Sequence, residues 1–286
     1  MVFAYCSGIA RCALEPPLRD LPLVLDMVDV DSAKWAAMAD THTPPRSWVY
    51  AREARVLRVF EAAAAAHAST TMVVTEKERQ AMTAIAPGAR VEVVPNGVDA
   101  ARLRPPSGPT GEPLVVFCGV MNYAPNEEAA IWFVREVWPL VIARRPDARF
   151  DIIGSSPTPA IQALADPNAH IAVVGGVPDV APHLWNAAVS VAPLQVARGI
   201  QNKVIEAVAA GLPTVVTPIV SEGLPDLVLS ACRVARSAQV FADAVVTLLD
   251  WTPEQRRELA FAVDFRSLSW ERTLAPVYDL LREAAS

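Results

Sequence analysis

Five short apolar runs in the second half of the chain, "LVVFCG", "RFDIIG", "HIAVVG", "SVAPL" and "TVVT", each end in turn residues and lead into a helical pattern. Apolar runs this short and unbroken suit strands buried on both faces. Their regular alternation with helices calls for parallel pairing through crossovers, which is a doubly wound α/β sheet. The first half repeats the theme with "MVFAYC", residues 21–28, "TTMVVT" and "VEVVPNGVD". A Pro- and Gly-rich stretch, residues 105–113, lies between the halves and predicts two domains, 1–107 and 108–286.

Within the second half, residues 198–213, "RGIQNKVIEAVAAGLP", carry the most chemical information. They stand between two of the strands, so they form the helix of a βαβ unit whose N-terminus faces the ligand-binding edge of the sheet. Val204, Ile205, Val208 and Ala209 supply the apolar stripe, Gly211 suits a left-handed cap, and Pro213 stops the helix. Lys203 occupies the first turn, where the macrodipole disfavours a cation by up to roughly 1 kcal/mol. A diphosphate on the first-turn N–H groups would reverse that penalty, with Lys203 and Arg198 as counter-charges. Glu206, one turn on, could accept two hydrogen bonds from a ribose diol. Spacing alone fits a surface Lys–Glu pair at i, i+3 equally well.

The same residues resemble glycosyltransferase family 4, where two glutamates separated by seven residues precede an A-x-G-x-P-V-V-x-T pattern. Glu206 matches the second glutamate, which holds the nucleotide ribose in that family, and Arg198 stands at the position of the first. "DMVDVDSAKW" at residues 26–35 and "GVMNYAPNEEAAIWF" at residues 119–133 resemble a narrower bacterial subgroup, sugar transferases associated with exosortase and exopolysaccharide systems. In that subgroup an arginine followed by "GIQNK" is the usual form. The resemblance implies a GT-B fold of two Rossmann-like domains with a cleft between them. It also implies a final helix crossing back onto the first domain, and retaining transfer of a sugar from a nucleotide donor to an acceptor hydroxyl without a metal or separate cofactor. Lys203 and Arg198 would face the diphosphate and Glu206 the ribose. The donor would be further held by Gly119, Asn122, Val177, Gly199, Ile200, Gln201, Asn202 and Glu222. The partners implied are a nucleotide-sugar and an acceptor glycan or lipid-linked sugar.

Family members carry about three strands and a Gly-rich loop ahead of the strand that begins this sequence. The resemblance therefore implies a first domain truncated at its N-terminus, with an exposed sheet edge and apolar face. A nucleotide-sugar-binding fragment without turnover is the alternative. A nucleotide-sugar epimerase shares the two-domain plan but needs acid and base residues in the cleft, and the scattered His42, His67, His170 and His183 do not supply them.

Other features are read locally. Asp29 and Asp31 follow a strand as an Asp-x-Asp pair, which can chelate a cation but more often serves loops and caps, so no metal is assigned. Ser47 is expected to cap a long helix with Val49, Ala54, Leu57, Phe60 and Ala64 inward, Asn126 to cap a second, and Pro139 to kink it. Glu76 and Arg79 resemble a family signature or simply start a helix. "GGVPD" around Val177 is a base-bracketing loop or a plain turn, and Trp270, Leu274, Val277 and Leu281 stripe a last helix. Cys6, Cys12, Cys118 and Cys232 show no C-x-x-C spacing and read as reduced core thiols.

Composition narrows the setting. A content of 52% hydrophobic residues supports a large core, and no apolar run approaches the length of a membrane span. The net charge of −6 argues against a nucleic-acid partner. Residues 1–110 hold 12 basic and 12 acidic side chains, so the excess of acid lies in the second half. A cytoplasmic location follows, with the first half as the part that would make a peripheral contact with the membrane's inner face.

Overall fold

The strands of the computed structural model pair into two all-parallel sheets, and the structure describes residues 1–108 and 111–285. Pro109 and Thr110, within the expected 105–113 linker, and Ser286 lie outside the described residues. By contacts the chain divides into one unit of Met1–Gly97, Arg198–Ile200 and Leu268–Ser286, and a second of Val98–Ala197 and Gln201–Ser267.

In the first unit β1 (Val2–Tyr5), β2 (Leu23–Val28), β3 (Thr70–Val73) and β4 (Val91–Val93) lie side by side in that order. The connections hold α1 (Cys6–Ala13), α2 (Asp31–Thr41), α3 (Arg46–His67) and α4 (Glu76–Ile85). Strand alternation decides what each face buries. Leu23, Leu25 and Met27 pack with Ala10, Ala64, Ala65 and Met82, whereas Val24 packs with Met72, Val94 and Leu280. Leu280 belongs to α9 (Trp270–Ala285), whose inward residues also include Val277, Leu281 and Ala284. Trp270 and Leu274, expected in that stripe, are 41% and 40% exposed. Each fully buried Leu or Met contributes about 1.5–3 kcal/mol, which is why β2 is apolar at every position but Asp26.

Two expectations for α3 are corrected. Its N-cap is Pro45 with no side-chain cap, so Ser47 sits inside the helix, and Val49 is 54% exposed instead of packed inward. Pro44 and Pro45 end the preceding segment and fix where the helix can begin. Among the cysteines, Cys12 is exposed and only Cys232 is buried; all four are free thiols.

The second unit holds β5 (Leu114–Cys118), β6 (Arg149–Ile153), β7 (Ile171–Gly175), β8 (Val189–Ala192), β9 (Thr214–Val216) and β10 (Cys232–Val234), ordered β10-β9-β8-β5-β6-β7. Counted from β5, this is the 3-2-1-4-5-6 order of a Rossmann sheet, and the winding reverses between β5 and β8. The helix after β5 is α5 (Ala124–Trp132), continued by a π turn, Phe133–Val137, into α6 (Trp138–Ile142). Pro139 cannot donate to the preceding turn, and the π turn is how the helix absorbs that loss. Behind the sheet Phe133 meets Phe150 with ring centroids 4.6 Å apart, and Trp138 donates from Nε1 to the Ala169 carbonyl at 2.8 Å. The helix that carries Lys203 is α8 (Asn202–Ala209); α7 (Ala181–Asn186) precedes β8. Gly211 ends α8 at φ +93, with its N–H on the Val208 carbonyl and that of Leu212 on the Ala207 carbonyl.

Candidate active site

In an open α/β sheet, ligands settle where the winding reverses, beyond the carboxyl ends of the strands. Here that point lies between β5 and β8, and the two helices that follow those strands, α5 and α8, are tied together across it. Lys203 Nζ donates to Asn126 Oδ1 at 2.5 Å and stands 5.1 Å from the centre of the Phe117 ring. Asn126 does not cap α5. Tyr123 is the N-cap, and the Asn126 side chain instead donates to the Val120 carbonyl at 2.9 Å while it accepts from Lys203. Gly119 makes this possible, because a Cβ there would come within 2.8 Å of Asn126 Nδ2.

Burial pushes the Lys203 ammonium down to about 8 from its ordinary 10.5. The cation is thus held in the first turn of a helix, in a poorly hydrated place, with a neutral amide as its hydrogen-bond partner. An arriving anion would gain from both the ammonium and the helix N-terminus. One turn on, Glu206 is half-buried; desolvation raises its carboxyl, and Arg102 partly offsets this. Arg102 itself is paired with Asp179 at 3.0 Å. Among the described residues no side chain hydrogen-bonds the Glu206 carboxylate.

The loops at this edge are stitched to one another. Gly119 donates to the Ile153 carbonyl at 3.0 Å, Met121 to Ser155 at 2.9 Å, and Gly154 to Gly175 at 2.8 Å. The N–H of Gly119, one of the residues expected to hold the donor, is already committed to Ile153, and its missing side chain is what matters there. Asn122 lies exposed in the turn that follows, Val177 is half-buried after β7, Gln201 and Asn202 open α8, and Glu222 is exposed at the end of a short helix, Pro218–Ser221.

Arg198, Gly199 and Ile200 group with the first unit. Arg198 pairs with Glu78 Oε1 at 3.3 Å, with side chains 16% and 0% exposed, and Glu78 also accepts from Val30 N at 2.7 Å. The expectation of Arg198 as a counter-charge waiting for phosphate is amended: its charge is already opposed by a buried carboxylate. Gly199 has φ +61, and a Cβ there would collide with the Asp29 carboxylate, so only glycine serves. Asp29 is pushed up to about 6, first by burial and then by Glu78, and its buried Oδ1 has no hydrogen-bond partner among the described residues. The residue before it, Val28, sits at φ +63, an outlier for a β-branched side chain. Asp31 accepts from Ser7 Oγ at 2.7 Å and from Lys34 Nζ at 2.6 Å, a structural role. Glu76 and Arg79 bond each other on an exposed surface.

Glu78 is the residue that sequence reading missed. Three positions after Thr75, which accepts from its N–H at 3.1 Å, it reads as a capping-box glutamate. The structure turns its carboxylate inward instead. Among the described residues no group of three or more His, Cys, Asp or Glu side chains is placed to hold a metal ion.

Residues 112–250 match the family model described as Glycosyl transferases group 1. Among solved structures, a mutant of S. aureus TarM in complex with Fondaparinux, alpha-GlcNAc-glycerol and UDP is similar at a TM-score of 0.73 and 15% identity, over 99% of this chain and 55% of that one. A UDP-forming α,α-trehalose-phosphate synthase from Burkholderia xenovorans, in complex with glucose-6-phosphate, gives 0.70 and 12% over 100% and 73%. Sucrose-phosphate synthase from Thermosynechococcus elongatus gives 0.67 and 15% over 99% and 74%. The chain thus spans between 55% and 74% of the length of these three structures. Curated protein sequences return no match. The fold is GT-B, with α/β parallel sheets, and the match over residues 112–250 supports a transferase enzyme.

Proposed function

We propose that this transferase moves a sugar from a nucleoside diphosphate to an acceptor hydroxyl with retention of configuration, as a member of family 4 and of its exosortase-associated exopolysaccharide subgroup. The observation that carries the reading is the Lys203–Asn126 junction at the winding reversal of the second sheet. When the glycosidic bond breaks, negative charge gathers on the β-phosphate. A preorganised ammonium and a helix N-terminus at that atom stabilise the transition state without reorganising. In this reading Asn126 aims the ammonium, Glu206 accepts from the ribose diol, Val177 packs on the base, and Asn122, Gly199, Ile200, Gln201, Asn202 and Glu222 line the donor. Arg198, anchored by Glu78, adds a planar donor able to meet phosphate oxygens. Asp29 is assigned to an acceptor hydroxyl. The positive charge comes from the chain, so neither a metal nor a separate cofactor is invoked.

The donor-binding part is residues 108–286 and the acceptor side 1–107. The acceptor is a glycan or lipid-linked sugar, taken in the bacterial cytoplasm beside the inner face of the membrane. The "GIQNK" text after Arg198 supports the subgroup. A thermal-shift panel of uridine, guanosine and adenosine diphosphates should single out one base, because a ligand raises apparent stability with its concentration over Kd. The matching nucleotide-sugar is then tested for transfer and hydrolysis; binding without product would reduce the chain to a donor-binding module. Glu206→Gln should weaken the preferred diphosphate about 10- to 100-fold, the worth of a hydrogen bond to a charged group. It should leave the 2′,3′-dideoxy analogue unaffected, and equal losses for both nucleotides would remove Glu206 from the ribose.

A further inference from the structure

Helix α3 buries Glu61, Ala64 and Ala65, with Phe60 packed alongside them. The opposite face is apolar as well between residues 48 and 59: Trp48 and Val59 are 70% exposed, Val49 54% and Val56 50%. At 3.6 residues per turn, these four fall with Arg52 and Arg55 inside about a third of the helix circumference, and Arg58 flanks them. A contiguous apolar surface on a soluble domain marks an interaction site. Charge says with what. The chain carries −6 overall, yet α3 holds Arg46, Arg52, Arg55 and Arg58 against two glutamates, one of which, Glu61, is fully buried on Ser32. Outward, the helix is a basic surface with an apolar centre and a tryptophan, the composition of a helix that lies in the plane of a bilayer interface. Arg55 and Arg58 also line a recess of about 640 Å³ whose wall is mostly alanine, with Asp40 and Arg198 among its polar members. Among the described residues no helix is long and apolar enough to cross a membrane.

We propose that α3 is the membrane-docking element of this protein. It lies on an anionic bilayer with Trp48, Val49, Val56 and Val59 at the headgroup boundary and Arg52, Arg55 and Arg58 on lipid phosphates. The inference rests on the reading of a peripheral membrane location and names the surface responsible. The test uses the full chain with phosphatidylcholine vesicles, with and without phosphatidylglycerol, followed by co-sedimentation and tryptophan emission. Wild type is expected to bind only the vesicles that contain phosphatidylglycerol, with a blue shift lost in Trp48→Phe. The double variant Val56→Glu/Val59→Glu should lose about tenfold or more in binding, with its melting temperature and nucleotide affinity unchanged. Wild type that binds neither vesicle overturns the membrane location itself. Binding that survives in the double variant overturns α3 as the surface and leaves the location standing. Self-association of wild type in solution that the double variant abolishes, with no vesicle binding, assigns the face to a second copy and overturns the proposal.

Discussion

Lys203→Ala is expected to slow sugar transfer by about 10²–10³-fold, the usual cost of deleting one preorganised group at a developing anion, and to weaken nucleoside diphosphate binding by about 10- to 100-fold. The fold should survive the change. Lys203 has a folded value of about 8 against an ordinary 10.5, so folding disfavours its charged form. Wild type bears that cost in full below pH 8, and it fades as pH rises from about 8 to 10.5. Removing the ammonium relieves the cost at pH 7 and leaves Asn126 its bond to the Val120 carbonyl. A variant with wild-type or higher thermal stability and a donor affinity about 10- to 100-fold weaker is therefore the expected result of calorimetry and thermal melts run together. Loss of both would mean that Lys203 is a strut rather than a ligand group.

The second large effect concerns the first unit. Glu78→Ala strips the counter-charge from Arg198, whose side chain is only 16% exposed, and removes the acceptor of Val30 N–H. Breaking one side of a buried ion pair costs about 3–5 kcal/mol, which for a chain of this size lowers the melting temperature by roughly 10 °C. Asp29 should respond in step. Glu78 is the largest charge that raises its carboxyl, so in Glu78→Ala the Asp29 group ionises at lower pH. Glu78→Gln keeps an acceptor for Val30 and should fall between wild type and Glu78→Ala. Denaturant unfolding with the pH titration of Asp29 followed by NMR reads both effects, and a fully stable Glu78→Ala would deny the pair its role.

Much of this was legible in the chain because parallel strands buried on both faces write themselves as short apolar runs. Nine such runs coincide with strands. The tenth strand, β10, is three residues long with Arg233 at its centre, too short and too charged to register. The helix of Lys203 was also legible, since Gly211 and Pro213 punctuate it. What periodicity does not disclose is which long-range partner a polar side chain finds. Asn126 has the sequence signature of a cap and serves a lysine 77 residues away. Glu78 looks like a capping-box residue, yet it meets Arg198 across 120 positions. Arg198 seemed a companion of Lys203 because the two are five residues apart, whereas its buried counter-ion comes from α4. In α3 apolar residues occupy both faces, so spacing alone placed Val49 inward although it is exposed.

The central claim is that Lys203 receives the diphosphate of the donor. Calorimetric titration of the best-bound nucleoside diphosphate at pH 8, in two buffers of different ionisation enthalpy, counts the protons exchanged on binding. A lysine half-charged when free and fully charged against phosphate takes up about half a proton, and affinity then falls towards tenfold per pH unit above pH 8. Lys203→Met should show neither effect. Wild-type binding with no proton uptake and a flat pH profile would contradict the account.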